Sequence, residues 1–293
     1  MVRLLMHAKA TYFDTRVGRI AVHDTLVDRP PLLMLHGLGS DGLVFQRQFA
    51  SPLADHFRLI AFDLPGHGQS DDCEDVDQAY TLPALAELTA AVLEASGIKR
   101  VAVFGWSIGG HIAIELMSRH PEMLSGVMIS GAAPIGRGPV AALKGFQAHW
   151  DMLLASKAVY TSKDAERFAR LCFKDGATPD DVAAVLRADG AMRTRVNRSL
   201  MRGEGANQKT VVQTSPIPLA VVNGSDEPVV RLRYLAGLQY RNLWEGMCHI
   251  LPDAGHAPFR NRPYAFNTLL HRFAAEVAIH ERATPPVELH RRA

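Results

Sequence analysis

The chain has 293 residues, 47% of them apolar and 21% charged, with a formal net charge of +2. That supplies one large globular domain with room for an inserted subdomain. Basic residues are scattered among acidic ones, which argues against a nucleic-acid or membrane-surface role, and no apolar run reaches the roughly 20 residues of a membrane helix.

The opening MVRLLMHAKATYF is broken by His7 and Lys9 before any apolar core reaches signal-peptide length. Residues 11–24 read as two short strands joined near Val17-Gly18-Arg19, an edge hairpin. After Arg29-Pro30-Pro31, the run Leu32-Leu33-Met34-Leu35 fits a strand buried on both faces, released into His36-Gly37-Leu38-Gly39. Ser40 and Asp41 are candidate caps for a helix over 44–54. A second apolar run, 59–62, ends in Asp63-Leu64-Pro65-Gly66-His67-Gly68-Gln69-Ser70, whose Pro and Gly residues fix a turn. A helix is predicted over 82–96, closed by Gly97.

The stretch 101–120, VAVFGWSIGGHIAIELMSRH, reads as a strand, a sharp bend at Gly105-Trp106-Ser107-Ile108-Gly109 and a helix with Ile112, Ile114, Leu116 and Met117 as apolar positions. The G-x-S-x-G pattern has a mechanical reason. The serine occupies a strained backbone conformation, and the flanking glycines remove side chains that would collide there. A further strand is predicted at 126–130, so strand and helix alternate as in a parallel sheet with right-handed crossovers. From 133 to 213 the alternation stops; helical patches fall at 140–154, 165–173 and 179–189 without a convincing strand. Strands resume at 218–222 and 243–251, an amphipathic helix covers 263–280, and a polar, mobile tail is expected to the end. Cys73, Cys172 and Cys248 show no metal spacing and read as free buried thiols of a soluble cytoplasmic protein.

A serine hydroxyl is a poor nucleophile at neutral pH unless a base takes its proton, so Ser107 needs a histidine and a group to orient it. For this type of elbow the chain order is serine, acid, histidine. Asn223-Gly224-Ser225-Asp226-Glu227-Pro228 supplies two adjacent carboxylates after one strand, and Asp253-Ala254-Gly255-His256 supplies a histidine after the last. His36 and His67 are expected to pack and hydrogen-bond in their loops, Asp63 to fix its loop, and His249 to be a strand residue.

In order and nearly along its whole length, the chain resembles an α/β-hydrolase: His36 to Gly39, Asp63 to Ser70, Gly105 to Gly110, Gly224 to Val230 and Gly255-His256 match that fold's signposts. Three segments, VFGWSIGGHIAIE, AVVNGSDEPVV and NLWEGMCHILPDAGHAPFR, are most similar to the α/β-hydrolase type of N-acyl-homoserine lactone lactonase, the quorum-quenching enzymes. The resemblance implies a mostly parallel eight-stranded sheet flanked by helices, its core formed by 1–132 and 214–293 and a helical cap by 133–213. It implies a cofactor-independent hydrolase, with no metal, acting on a small-molecule ester or lactone. Ser107 would be the nucleophile and His256 the base. In the family the acid commonly falls three residues after the loop glycine, which is Glu227 here, with Asp226 the alternative. Backbone N–H groups of Leu38 and Ile108 would form the oxyanion hole. Trp106, Trp150 and Tyr160 are the candidate substrate contacts; Phe146, Met152 and Phe168 are further residues suited to an acyl pocket or to plain core. A general carboxylesterase, a C–C bond hydrolase and a non-catalytic small-ligand receptor on the same scaffold are the alternatives.

Overall fold

A computed structural model describes residues 10–148 and 150–283. The first nine residues and the tail from 284 lie outside the described residues, as do the expectations that fall on them. Eight strands form one sheet: β1 (Thr11–Thr15), β2 (Gly18–Asp24), β3 (Pro31–Leu35), β4 (Arg58–Phe62), β5 (Val101–Trp106), β6 (Leu124–Ser130), β7 (Leu219–Gly224) and β8 (His249–Leu251). Their order is β1-β2-β4-β3-β5-β6-β7-β8. β1 and β2 form the expected antiparallel hairpin, and β2 pairs antiparallel with β4; every other neighbouring pair is parallel.

The central strands explain their unbroken apolar sequences. Every residue of β5, β6 and β7 is buried, because helices cover both faces. At the edge, β1 is mostly exposed. Register brings the strand ends together: Leu35 pairs with Gly105 and Trp106 with Ser130, so β3, β5 and β6 end at one level. The loops after β3, β5, β6, β7 and β8 therefore leave along one carboxyl edge, where ligands bind in open parallel sheets.

Local chemistry moved several boundaries. The helix expected over 44–54 is split into Gln46–Phe49 and Leu53–His56, preceded by a 3-10 turn at Gly42–Phe45 that Asp41 caps. Pro52 has no N–H to carry a helix through the break. The helix Leu82–Ala95 ends as expected beside Gly97, whose φ is +71°. The strand expected over 243–251 shrinks to β8, since Glu245 and Gly246 take φ of +54° and +68° and turn the chain; only Leu243 bridges back to Leu219. Between β6 and β7 the insert is helical: Pro139–Gly145, Ser162–Phe173, Pro179–Arg187, Gly190–Arg202 and Gln208–Thr214, with a 3-10 stretch at Trp150–Ser156. The helix expected over 140–154 breaks at Phe146, which forms an isolated bridge with Val230. The last two helices of the insert were not expected, because Gly190 and interspersed arginines hide the apolar face of the first and the second is only 7 residues long.

Candidate active site

Ser107 sits between β5 and the helix Ile108–Arg119 with φ +55° and ψ −119°, a conformation costing an L-residue on the order of 1–3 kcal/mol. Packing holds it there. Its N–H donates to Ser130 O at 2.8 Å. A Cβ on Gly105 would lie 2.4 Å from Gly109 O, and one on Gly109 would lie 2.2 Å from Leu35 O, so the strand and helix close to a distance only glycine permits.

His256 follows β8 and is buried, its ring edge against Gly131, where a Cβ would stand 2.5 Å from Cε1. Trp106, wholly buried beside Ser107, donates its indole N–H to His256 O at 2.8 Å. Nδ1 of His256 lies 2.8 and 2.9 Å from the two carboxylate oxygens of Glu227. A carboxylate only accepts, so Nδ1 is the donor of this pair. Oε1 of Glu227 also accepts from Val229 N–H at 2.7 Å and Val230 N–H at 3.3 Å, so this buried carboxylate is fully engaged. Asp226 is elsewhere: exposed, 2.6 Å from Lys174 Nζ, which holds its carboxyl below the usual range. The structure thus pairs Glu227, not Asp226, with the imidazole.

Ser107 and His256 line the same cavity of about 390 Å³. Among the described residues no hydrogen bond closes between Ser107 Oγ and His256 Nε2; in ligand-free sites such contacts are often long and tighten on binding. Leu38 and Ile108 line the cavity too, and neither backbone N–H finds a partner among the described residues. The loop carrying Leu38 is fixed by groups that are not reactive. His36 donates from Nδ1 to Gly37 O at 2.8 Å and accepts Leu64 N–H on Nε2 at 2.9 Å. His67 accepts Gly39 N–H at 3.2 Å. Burial keeps both rings neutral, pushing His36 down and His67 down to about 3. Asp63 accepts the N–H groups of Gly42 and Gln69, each at 2.7 Å.

Much of the rest of the cavity lining is apolar and comes from the insert: Leu143, Phe146, Leu153, Phe168, Leu171 and Leu200, with Trp106 and Val229 from the core. Trp106, Phe146 and Phe168 therefore stand where the sequence suggested. Trp150 and Tyr160 do not. Trp150 is 83% exposed and outside the cavity lining. Tyr160 packs on Phe168, donates its hydroxyl to Leu154 O and carries the Arg193 guanidinium 3.7 Å over its ring. The side chain of Met152 lies outside the described residues. Sequence reasoning missed His111, Gln147, Asn197 and Arg231, all lining the cavity. Only His111 left a signal, standing one helical turn beyond Ser107. Among the described residues no group of three or more His, Cys, Asp or Glu side chains converges to hold a metal, and Cys172 is buried while Cys73 and Cys248 are half-buried, all free. No described helix is long and apolar enough to cross a membrane.

Known proteins share this fold. The family model for the alpha/beta hydrolase fold matches residues 30–263. A solved structure of the N-acyl homoserine lactonase AidH with N-hexanoyl homoserine lactone has a TM-score of 0.88 and 38% identity, covering 92% of this chain and 98% of that one. A second, of AidH with N-butanoyl homoserine, has 0.88 and 37%, covering 97% and 99%. Among curated sequences, the pimeloyl-[acyl-carrier protein] methyl ester esterase of Nitrosomonas europaea is 25% identical over 83% of this chain and 95% of its own length. The esterase of that name from Aeromonas salmonicida is 40% identical over 105 residues, so the match spans only 36% of this chain and 39% of that protein.

Proposed function

The chain belongs to the alpha/beta hydrolase fold family, and from that premise we propose that it opens the lactone ring of N-acyl homoserine lactones through an acyl-enzyme on Ser107. The observation that carries this reading is the similarity to AidH, 38% identity at a TM-score of 0.88 over nearly the full length of both chains. That protein has been solved with an intact lactone in a variant whose serine is replaced by glycine, and with N-hexanoyl homoserine in a variant lacking a glutamate.

Ser107 Oγ attacks the lactone carbonyl while His256 Nε2 takes its proton, and Glu227 holds the imidazolium that forms. The N–H groups of Leu38 and Ile108 receive the oxyanion, each worth roughly 3 kcal/mol in the transition state. His256 returns the proton to the ring oxygen, and the alkoxide becomes the hydroxyl of a tethered chain. Water, deprotonated by the same base, then cleaves the ester to Ser107 and releases an N-acyl homoserine. Residues 133–213 act as a cap whose apolar side chains hold the acyl chain.

A second reading, hydrolysis of a linear acyl ester, is favoured by the name of the Nitrosomonas and Aeromonas relatives. Product analysis separates the two. Wild type given homoserine lactones of several acyl lengths is expected to yield ring-opened acyl homoserines with no free fatty acid, and Ser107→Ala none. Free fatty acid with homoserine lactone, or turnover of linear methyl esters alone, overturns the lactonase reading. Equally slow hydrolysis by both proteins overturns the enzyme reading.

A further inference from the structure

His111 is buried at 3% exposure, lines the cavity and has no part in the triad chemistry. It stands in the first turn of the helix Ile108–Arg119, and its backbone N–H donates to Ser107 O at 3.3 Å. Its ring lies 6.0 Å from Phe146, another wall of the cavity.

The tautomer of His111 is set by its partner. The Gln208 amide donates Nε2–H to His111 O at 3.1 Å, and a backbone carbonyl can only accept. That fixes the orientation of the amide, so the atom 2.7 Å from His111 Nδ1 is the Gln208 carbonyl oxygen, and Nδ1 must donate. Nε2 is therefore left with its lone pair. It has no hydrogen-bond partner among the described residues. Burial pushes the ring down to about 4, so it is neutral near pH 7. Gln208 is itself buried, at the start of the helix Gln208–Thr214.

A site that presents an acceptor to its ligand favours one that brings a donor to it over an analogue that leaves the acceptor unpaired. We propose that His111 is a specificity-determining residue: its Nε2 accepts an N–H carried beside the scissile carbonyl, so that α-acylamino esters and lactones are chosen over all-carbon analogues. Resting on the reading of the site as an acyl hydrolase, the inference narrows the substrate class to one with a donor near the reacting carbon.

The test uses matched pairs: the p-nitrophenyl ester of N-hexanoylglycine against an all-carbon ester of equal length, and N-hexanoyl homoserine lactone against its analogue with CH₂ in place of N–H. Wild type is expected to favour the N–H member of each pair. In His111→Leu the ratio of kcat/KM within a pair should fall on the order of tenfold, and His111→Gln, whose carbonyl can still accept, should restore part of it. Gln208→Leu frees the ring to exchange tautomers, visible in the ¹⁵N shifts of the imidazole, and should lower the same ratio even if His111→Leu does not fold. An unaltered ratio in these variants, or a wild type with no preference, overturns the inference. Amide preference among the aryl esters without any lactone opening would leave it standing and defeat only the lactonase reading.

Discussion

Two regions meet at the cavity and hold it in different ways. The sheet's carboxyl edge is fixed atom by atom: Ser107 is clamped by glycine contacts that tolerate no Cβ, and Glu227 spends its oxygens on two backbone N–H groups and one imidazole. The insert holds its side by apolar packing, and some of its lining residues, such as Leu143 and Leu153, are more than 60% exposed. The edge holds Ser107, Glu227 and His256 by specific contacts, whereas the insert offers the cavity a largely apolar wall. Substitutions of the contacts that fix the edge should therefore act on rate, and substitutions in the insert on acyl-length preference.

The sharpest way to break that comparison is at the adjacent carboxylates. Glu227→Gln removes the acceptor that sets the tautomer of His256 and is expected to lower kcat on the order of 10³–10⁴-fold. Asp226→Asn loses only an exposed pair with Lys174 and should stay within about threefold. Steady-state kinetics on the two variants decides it, and the reverse ranking would mean that the edge is held otherwise.

Acid stability comes next in size. His67 and His111 are neutral when folded, with pKa values lowered by burial to about 3 and about 4, against about 6.5 unfolded. Between those values the unfolded chain binds more protons, so stability is complete above pH 6.5 and is lost as the pH falls through this window. Urea titrations at pH 7 and pH 4.5 should differ by a few kcal/mol, and His67→Gln should flatten the dependence. The smallest effects belong to the insert. Leu143→Ala is expected to shift the acyl-length dependence of kcat/KM a few-fold, on the order of 1 kcal/mol, whereas Trp150→Ala should leave the length profile where it was. A length profile that moved with Trp150 would place that side chain over the ligand after all.

The same contrast explains what could be read in advance. The strands, the elbow and the loops carrying Glu227 and His256 were legible because turn chemistry and glycine contacts act over a few residues. The choice between Asp226 and Glu227 was not, since neighbouring side chains in a loop point apart and only the partners decide: Lys174 takes one, the amides of Val229 and Val230 the other. In the insert, the aromatic residues could be picked out as pocket or core candidates without any sign of what they meet, and Trp150 turns out exposed. Phe146 and Phe168 reach the cavity, while Tyr160 is spent on Arg193 and Leu154. His111 was hidden inside an apolar helix, and its role depends on Gln208, 97 positions away.

The indole of Trp106 reaches the backbone of His256, 150 positions later in the chain. During synthesis Ser107 therefore emerges long before His256, and until that late loop docks the indole N–H lacks this acceptor. Without that loop the donor beside the elbow would lose its partner, at about 1–3 kcal/mol. Docking of the late loop and consolidation of the core around the elbow are then coupled through one hydrogen bond.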